Sequence, residues 1–150
     1  MEFNDFNEIT QASVRELGAT AWQPVTMERV STFADLTGDH QWIHLDEARA
    51  EAESPFASTI VHGALILALV PVFAGELFRV ARASLIINAG MTRARFREPV
   101  PVGARVRGLV TLRSAEPLSA GLLVSLGVVV EVEGRPRPAC TAEQMMVVYA

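Results

Sequence analysis

Apolar residues recur at helical spacing through the first half of the chain and at alternating positions through the second. From about Glu2 to Leu17, the positions of Phe6, Ile9, Val14 and Leu17 predict one helix. Ala21 to Thr26 reads as a short strand. Thr26, followed by Glu28 and Arg29, looks like a helix start, with Val30, Phe33 and Leu36 on one face before Gly38 stops it. Asp46 is placed to cap a short helix that runs through Ala52 and ends at Ser54-Pro55. The segment from Val61 to about Val80 is apolar almost all round, which predicts a long helix enclosed by other elements.

Beyond Ala83 the rhythm is that of strands. Leu85-Ile86-Ile87 opens one, in which Thr92, Ala94 and Phe96 alternate with Arg93, Arg95 and Arg97. The three arginines would share a face, either solvated or meeting phosphate groups. Pro99 to Gly103 is a loop, and Arg105 to Leu112 alternates again around Val106, Leu109 and Val110. Leu122 to Val132 is strongly β-branched, Glu133-Gly134-Arg135-Pro136 makes a reversal, and Thr141 to Tyr149 supplies a last strand. Helices followed by antiparallel strands, with one very apolar helix to cover, predict an α+β fold. In it a curved antiparallel sheet wraps around the long central helix. No repeat or linker divides the 150 residues, so a single domain over 1–150 is expected.

Composition narrows the classes. Half the residues are apolar and 20% charged, which fits a globular chain. A formal charge of −4 offers no general attraction for nucleic acid or anionic membranes. The apolar run Ala64 to Ala74 is too short to span a bilayer and contains Pro71. Met1 to Glu8 is acidic and broken by polar residues, unlike a secretion signal, so a cytoplasmic location is expected. Cys140, the single cysteine, reads as a small buried hydrophobe in a strand with no metal-like surroundings.

The candidate chemistry lies in Gly38-Asp39-His40-Gln41-Trp42-Ile43-His44, with Val61-His62-Gly63 downstream. A carboxylate and an imidazole stand in a glycine-containing break, close to a second glycine that opens an apolar helix. That is the equipment for adding water to an activated double bond. His44 is suited to act as the base, since an imidazole titrates near neutral pH. Asp39 can hold and polarise the same water and return the proton. The backbone N–H of Gly63 is the candidate donor to a developing oxyanion, and a glycine there lets a substrate approach closely. Each position also has a structural alternative: a turn or cap for Gly38-Asp39, a packed core histidine for His44, helix packing for Gly63. His62 is expected to orient the loop, and His40 to face solvent. Gln41 offers an amide that could orient water or the loop. Trp42 either stiffens the loop, lines an entrance or packs in the core. Asn88, in Ile87-Asn88-Ala89-Gly90, is a pocket or a bulge residue.

Gly38-Asp39-x-x-x-His44, preceded by Phe33-Ala34-x-Leu36-Thr37 and followed by Val61-His62-Gly63, resembles the hydratase motif of the MaoC-like dehydratases. These are the R-specific enoyl-CoA hydratases of the hotdog superfamily. The similarity extends through Ser54-Pro55-Phe56, Ile87-Asn88-x-Gly90 and Arg93-x-Arg95-Phe96-x-x-Pro99-Val100-Pro101-Val102-Gly103, covering roughly residues 22 to 149. It is closest to the NodN-like, single-hotdog branch, where Gln-Trp-Ile replaces the commoner Asn-Pro-Leu. The Gly-rich step before the helix reads Ala57-Ser58 here. The resemblance implies a single hotdog fold and reversible hydration of trans-2-enoyl-CoA to the (R)-3-hydroxyacyl thioester, with Asp39 and His44 as the acid–base pair. It also implies a homodimer in which two sheets pair edge to edge. No metal or redox cofactor is expected; coenzyme A or acyl carrier protein enters as part of the substrate. Two other functions fit such a fold: an acyl-CoA thioesterase, and a non-catalytic protein that binds acyl thioesters.

Overall fold

The computed structural model describes residues 1–12 and 14–150. In chain order its elements are β1 (Glu2–Phe3), α1 (Phe6–Gln11), β2 (Arg15–Ala19), β3 (Gln23–Pro24), α2 (Met27–Thr37), α3 (Trp42–Leu45), α4 (Glu47–Glu53), α5 (Gly63–Ala68), α6 (Val70–Leu77), β4 (Arg79–Val80), β5 (Leu85–Phe96), β6 (Arg105–Leu118), β7 (Gly121–Val132) and β8 (Cys140–Tyr149). The main sheet is antiparallel, in the order β2-β6-β7-β8-β5, with β3 also pairing β6. It curves over α5 and α6, which is the α+β arrangement expected.

The period-two pattern of the second half decides which face is covered. Leu122, Val124, Leu126, Val128, Val130 and Val132 of β7 all point inward and are buried, as are alternate residues of β8. Each such side chain contributes roughly 1.5–3 kcal/mol by leaving water. Phe73 of α6 packs into the middle of this surface at Gly108 of β6. A Cβ on Gly108 would stand 2.5 Å from that of Phe73, so only a glycine lets the helix come this close. Cys140 is buried in β8 as expected, and burial pushes its thiol pKa up.

Four features differ from the sequence reading. The N-terminal segment is not one helix: α1 begins at its cap Asp5 and ends at Gln11, Val14 is exposed, and Leu17 belongs to β2. Ser13, within that span, lies outside the described residues. The pairing of β2 with β6 along the sheet outweighs the weak helical period. Second, α2 starts at Thr26, whose hydroxyl accepts from the Arg29 N–H, and stops at left-handed Gly38, but Leu36 is exposed. At 100° per residue, Leu36 falls about 120° away from Val30, while Ala34 lies beneath it and is buried.

Third, the central helix is two helices that meet at Leu69, with Pro71 in the first turn of α6. Proline has no N–H to continue the ladder from α5. Nor is it enclosed all round: Ala64, Ala68 and Val72 form an exposed stripe. Fourth, the arginine alternation in β5 is broken. The register shifts between Thr92 and Arg95, and Arg93 sits in the bulge with φ 52°. Among the described residues, no helix is long and apolar enough to cross a membrane.

Candidate active site

Thr37, Gly38 and Asp39 carry the chain out of α2. Gly38 takes φ 79°, a left-handed cap that costs glycine nothing, and its N–H donates to Ala34 O. This turns Asp39 into an exposed loop. The chain re-enters the fold at α3, whose single turn buries His44 to 7% exposure. The next caps follow at once: Asp46 accepts from the Arg49 N–H and starts α4.

His44 is fixed by a segment 16 residues further on. Its Nδ1 lies 2.7 Å from the carbonyl oxygen of Ile60. A carbonyl oxygen only accepts, so Nδ1 carries the hydrogen and Nε2 presents a lone pair. Ile60 is itself held on both sides. Its N–H donates to Ile43 O, the Val61 N–H donates to Val100 O, and the Val102 N–H donates to Thr59 O. The loop 99–103 thus anchors the strand-like segment that sets the tautomer of His44.

His62, expected to orient the loop, is hydrogen-bonded to it. Its Nε2–H donates to the backbone carbonyl of Asp39 at 2.9 Å. Its ring stacks on His44, with centroids 3.8 Å apart, and the tilted Phe33 ring lies 5.2 Å from it. The Nδ1 of His62 is buried without a hydrogen-bond partner among the described residues. One ligand-type atom from each of Asp39, His44 and His62 lies within 4.8 Å of the others. A divalent ion there would have only the remaining lone pairs of the two rings and the Asp39 carboxylate, because each ring N–H already serves a carbonyl.

Gly63 follows directly as the first residue of α5, so its N–H has no acceptor within the helix. It lines a cavity of about 320 Å³ with Ile60, Val61, Ile66, Phe96 and Val100 among its neighbours. Asp39, His44 and His62 therefore come together, with Gly63 the next residue in the chain after His62. Gln41 stands at the N-cap of α3 and its side chain makes no capping bond; its backbone serves instead, accepting from the His44 N–H at 3.0 Å. Trp42 is half-buried at the start of α3, with the Arg49 guanidinium 4.4 Å over its ring. His40 faces solvent and pairs with Asp35 at 2.9 Å; that hydrogen bond raises its pKa.

Asn88 stands apart from this cluster. Its Oδ1 accepts from the Gly90 N–H at 2.9 Å and from Gln144 Nε2 at 2.7 Å, holding the first bulge of β5. It lines a different cavity with Pro71, Gly75, Ile86 and Met146. Sequence reasoning assigned no task to Ile60, Phe33 or Phe96. Ile60 acts through a main-chain carbonyl, which leaves no residue-type signal; the two phenylalanines stood inside quoted motifs, and only the packing shows what they touch.

The family described as MaoC like domain matches residues 8–133. The chain is 42% identical over 145 residues to 3-hydroxyacyl-thioester dehydratase Z of Mycobacterium tuberculosis, covering 96% of this chain and 95% of that protein. It is 39% identical over 137 residues to Nodulation protein N of Rhizobium leguminosarum bv. viciae, covering 89% and 84%. Among solved structures, the (R)-hydratase from A. caviae involved in PHA biosynthesis superposes with a TM-score of 0.74 at 24% identity. That match covers 91% of this chain and 97% of the other, a likeness of fold.

Proposed function

The chain belongs to the family of MaoC-like domains, and from that premise we propose that it is a hydro-lyase acting on acyl thioesters. It adds water across the double bond of a trans-2-enoyl thioester and, in reverse, dehydrates the 3-hydroxyacyl thioester. The convergence of Asp39 and His44, with His44 held as the Nδ1–H tautomer, carries this reading.

The unprotonated Nε2 of His44 takes a proton from water as the water oxygen attacks C3. Charge that develops on the thioester oxygen is met by the Gly63 N–H; loss of such a donor typically costs on the order of 100- to 1,000-fold in rate. Asp39 polarises the water, receives the abstracted proton from Nε2 of His44 and delivers it to C2. Water is divided as H and OH across C2 and C3, and both side chains return to their starting states. The R configuration follows from the family resemblance. None of these steps uses a metal or redox cofactor; coenzyme A or acyl carrier protein belongs to the substrate. A cytoplasmic setting suits the buried free thiol of Cys140.

The chain forms a homodimer in this reading. Among the described residues β5 ends the sheet with an unpaired edge, and Leu85, Ile86, Ile87 and Phe96 along it are exposed. An apolar edge of this length calls for a partner strand, and a second copy supplies one. Sedimentation at twice 16.3 kDa is expected.

The reaction is tested by mixing the protein with crotonoyl-CoA and longer 2-enoyl-CoAs and following the conjugated absorbance. Its loss without release of thiol, unchanged after chelator treatment, is the expected result. Thiol release from saturated acyl-CoA would indicate a thioesterase, and acyl-CoA binding without turnover a non-catalytic binding protein.

A further inference from the structure

Phe96 closes β5 and is the aromatic member of the Arg93–Gly103 signature; proton transfer gives it no task. Its ring edge lies against Gly63. A Cβ built on that glycine would stand 3.2 Å from both Cε1 and Cζ of Phe96, tighter than ordinary contact. The ring thus fills the space that any side chain at 63 would need. Phe96, Gly63, Ile60, Ile66 and Val100 line the same cavity of about 320 Å³. Neither Asp39 nor His44 is among the residues that line it. In the single chain Phe96 is 58% exposed, and its ring is held from the Gly63 side.

We infer that Phe96 limits the bulk a substrate can carry at C2, the carbon next to the thioester carbonyl, and that the enzyme selects 2-enoyl thioesters unsubstituted there. This rests on Gly63 as the donor to the thioester oxygen. With that oxygen on the Gly63 N–H, the carbonyl carbon is one bond away and C2 two. With the enoyl group held s-trans, a methyl on C2 lies on the same side as the carbonyl oxygen and is directed at the space around Gly63 that the Phe96 ring occupies. C3 and the chain beyond it lead away from Gly63, so Phe96 governs branching rather than chain length. One methyl group admitted or refused by an apolar wall changes kcat/KM by roughly 10- to 200-fold.

The experiment compares kcat/KM for crotonoyl-CoA and for its 2-methyl homologue, (E)-2-methylbut-2-enoyl-CoA, in wild type, Phe96→Leu and Phe96→Ala. The change in the ratio between substrates is the readout, because the intrinsic reactivity of each substrate and the fraction of active protein cancel from it. In Phe96→Ala the ratio shifts toward the 2-methyl substrate by about tenfold or more, and in Phe96→Leu by less. Sedimentation of each variant checks that the β5 edge still assembles as in wild type. Wild-type turnover of crotonoyl-CoA with the same ratio in both folded variants overturns the assignment to Phe96 and leaves the hydratase intact. Absence of turnover on every enoyl thioester overturns the hydratase, and this selectivity with it.

Discussion

The Nε2–H of His62 donates to the main-chain carbonyl of Asp39 at 2.9 Å, so a buried imidazole holds the backbone of an exposed carboxylate loop. Its ring also lies flat on His44, 3.8 Å between centroids. One side chain thereby contacts both members of the proposed acid–base pair.

His62→Ala removes this tether while leaving Asp39 and His44 in the sequence. A displacement of about 1 Å at a reacting group can cost 100-fold, so kcat is expected to fall by roughly 10- to 100-fold. His62→Gln, whose amide nitrogen can reach the Asp39 carbonyl, recovers part of the loss. Steady-state kinetics with melting curves for each variant check this, and wild-type kcat in a folded His62→Ala would remove the positioning role.

Outside the site, the loop before α3 carries its own titrating contact. The Asp35 hydrogen bond raises the pKa of His40, because the charged imidazolium is the better donor to a carboxylate. The folded pKa is above the unfolded one, so whatever stability the pair supplies is present below the ordinary imidazole pKa. It is lost as the pH rises through the raised value. NMR titration of the His40 ring is expected to show a midpoint above the ordinary value that falls in Asp35→Asn. An unchanged midpoint would mean that the pair does not persist in solution.

Ala57 occupies the left-handed region at φ 52°, where a Cβ is crowded by the backbone. Here the chain carries alanine at the step where its relatives were expected to have glycine. Ala57→Gly relieves about 1 kcal/mol of strain, partly offset by a freer unfolded chain. A rise in Tm of about 1–2 °C is expected by calorimetry; an equal or lower Tm would show that the loop absorbs the alanine without strain.

The parts of the fold that could be read from the sequence were those governed by local chemistry. Thr26 and Gly38 mark the ends of α2, Asp46 caps α4, and the alternation in β7 gives its buried face. Whatever depends on distant partners was not readable. Leu17 joins β2 because β6 is there to pair with it, and the Thr92–Arg95 bulge appears only in the register with β8. At the site, Asp39, His44 and Gly63 were visible as residue types in a pattern. The Ile60 carbonyl that sets the His44 tautomer is main chain, so no residue type announces it. The Phe96 ring against Gly63 arises from two segments 33 residues apart that meet only after folding.

The central claim is that Asp39 and His44 together move the proton that hydration requires, and crotonoyl-CoA hydration by Asp39→Asn and His44→Ala tests it most directly. Acid–base catalysis of this kind contributes about 100- to 10,000-fold. Each variant is therefore expected to lose at least about 100-fold in kcat while melting as a folded protein. Wild-type turnover by either folded variant would contradict the claim.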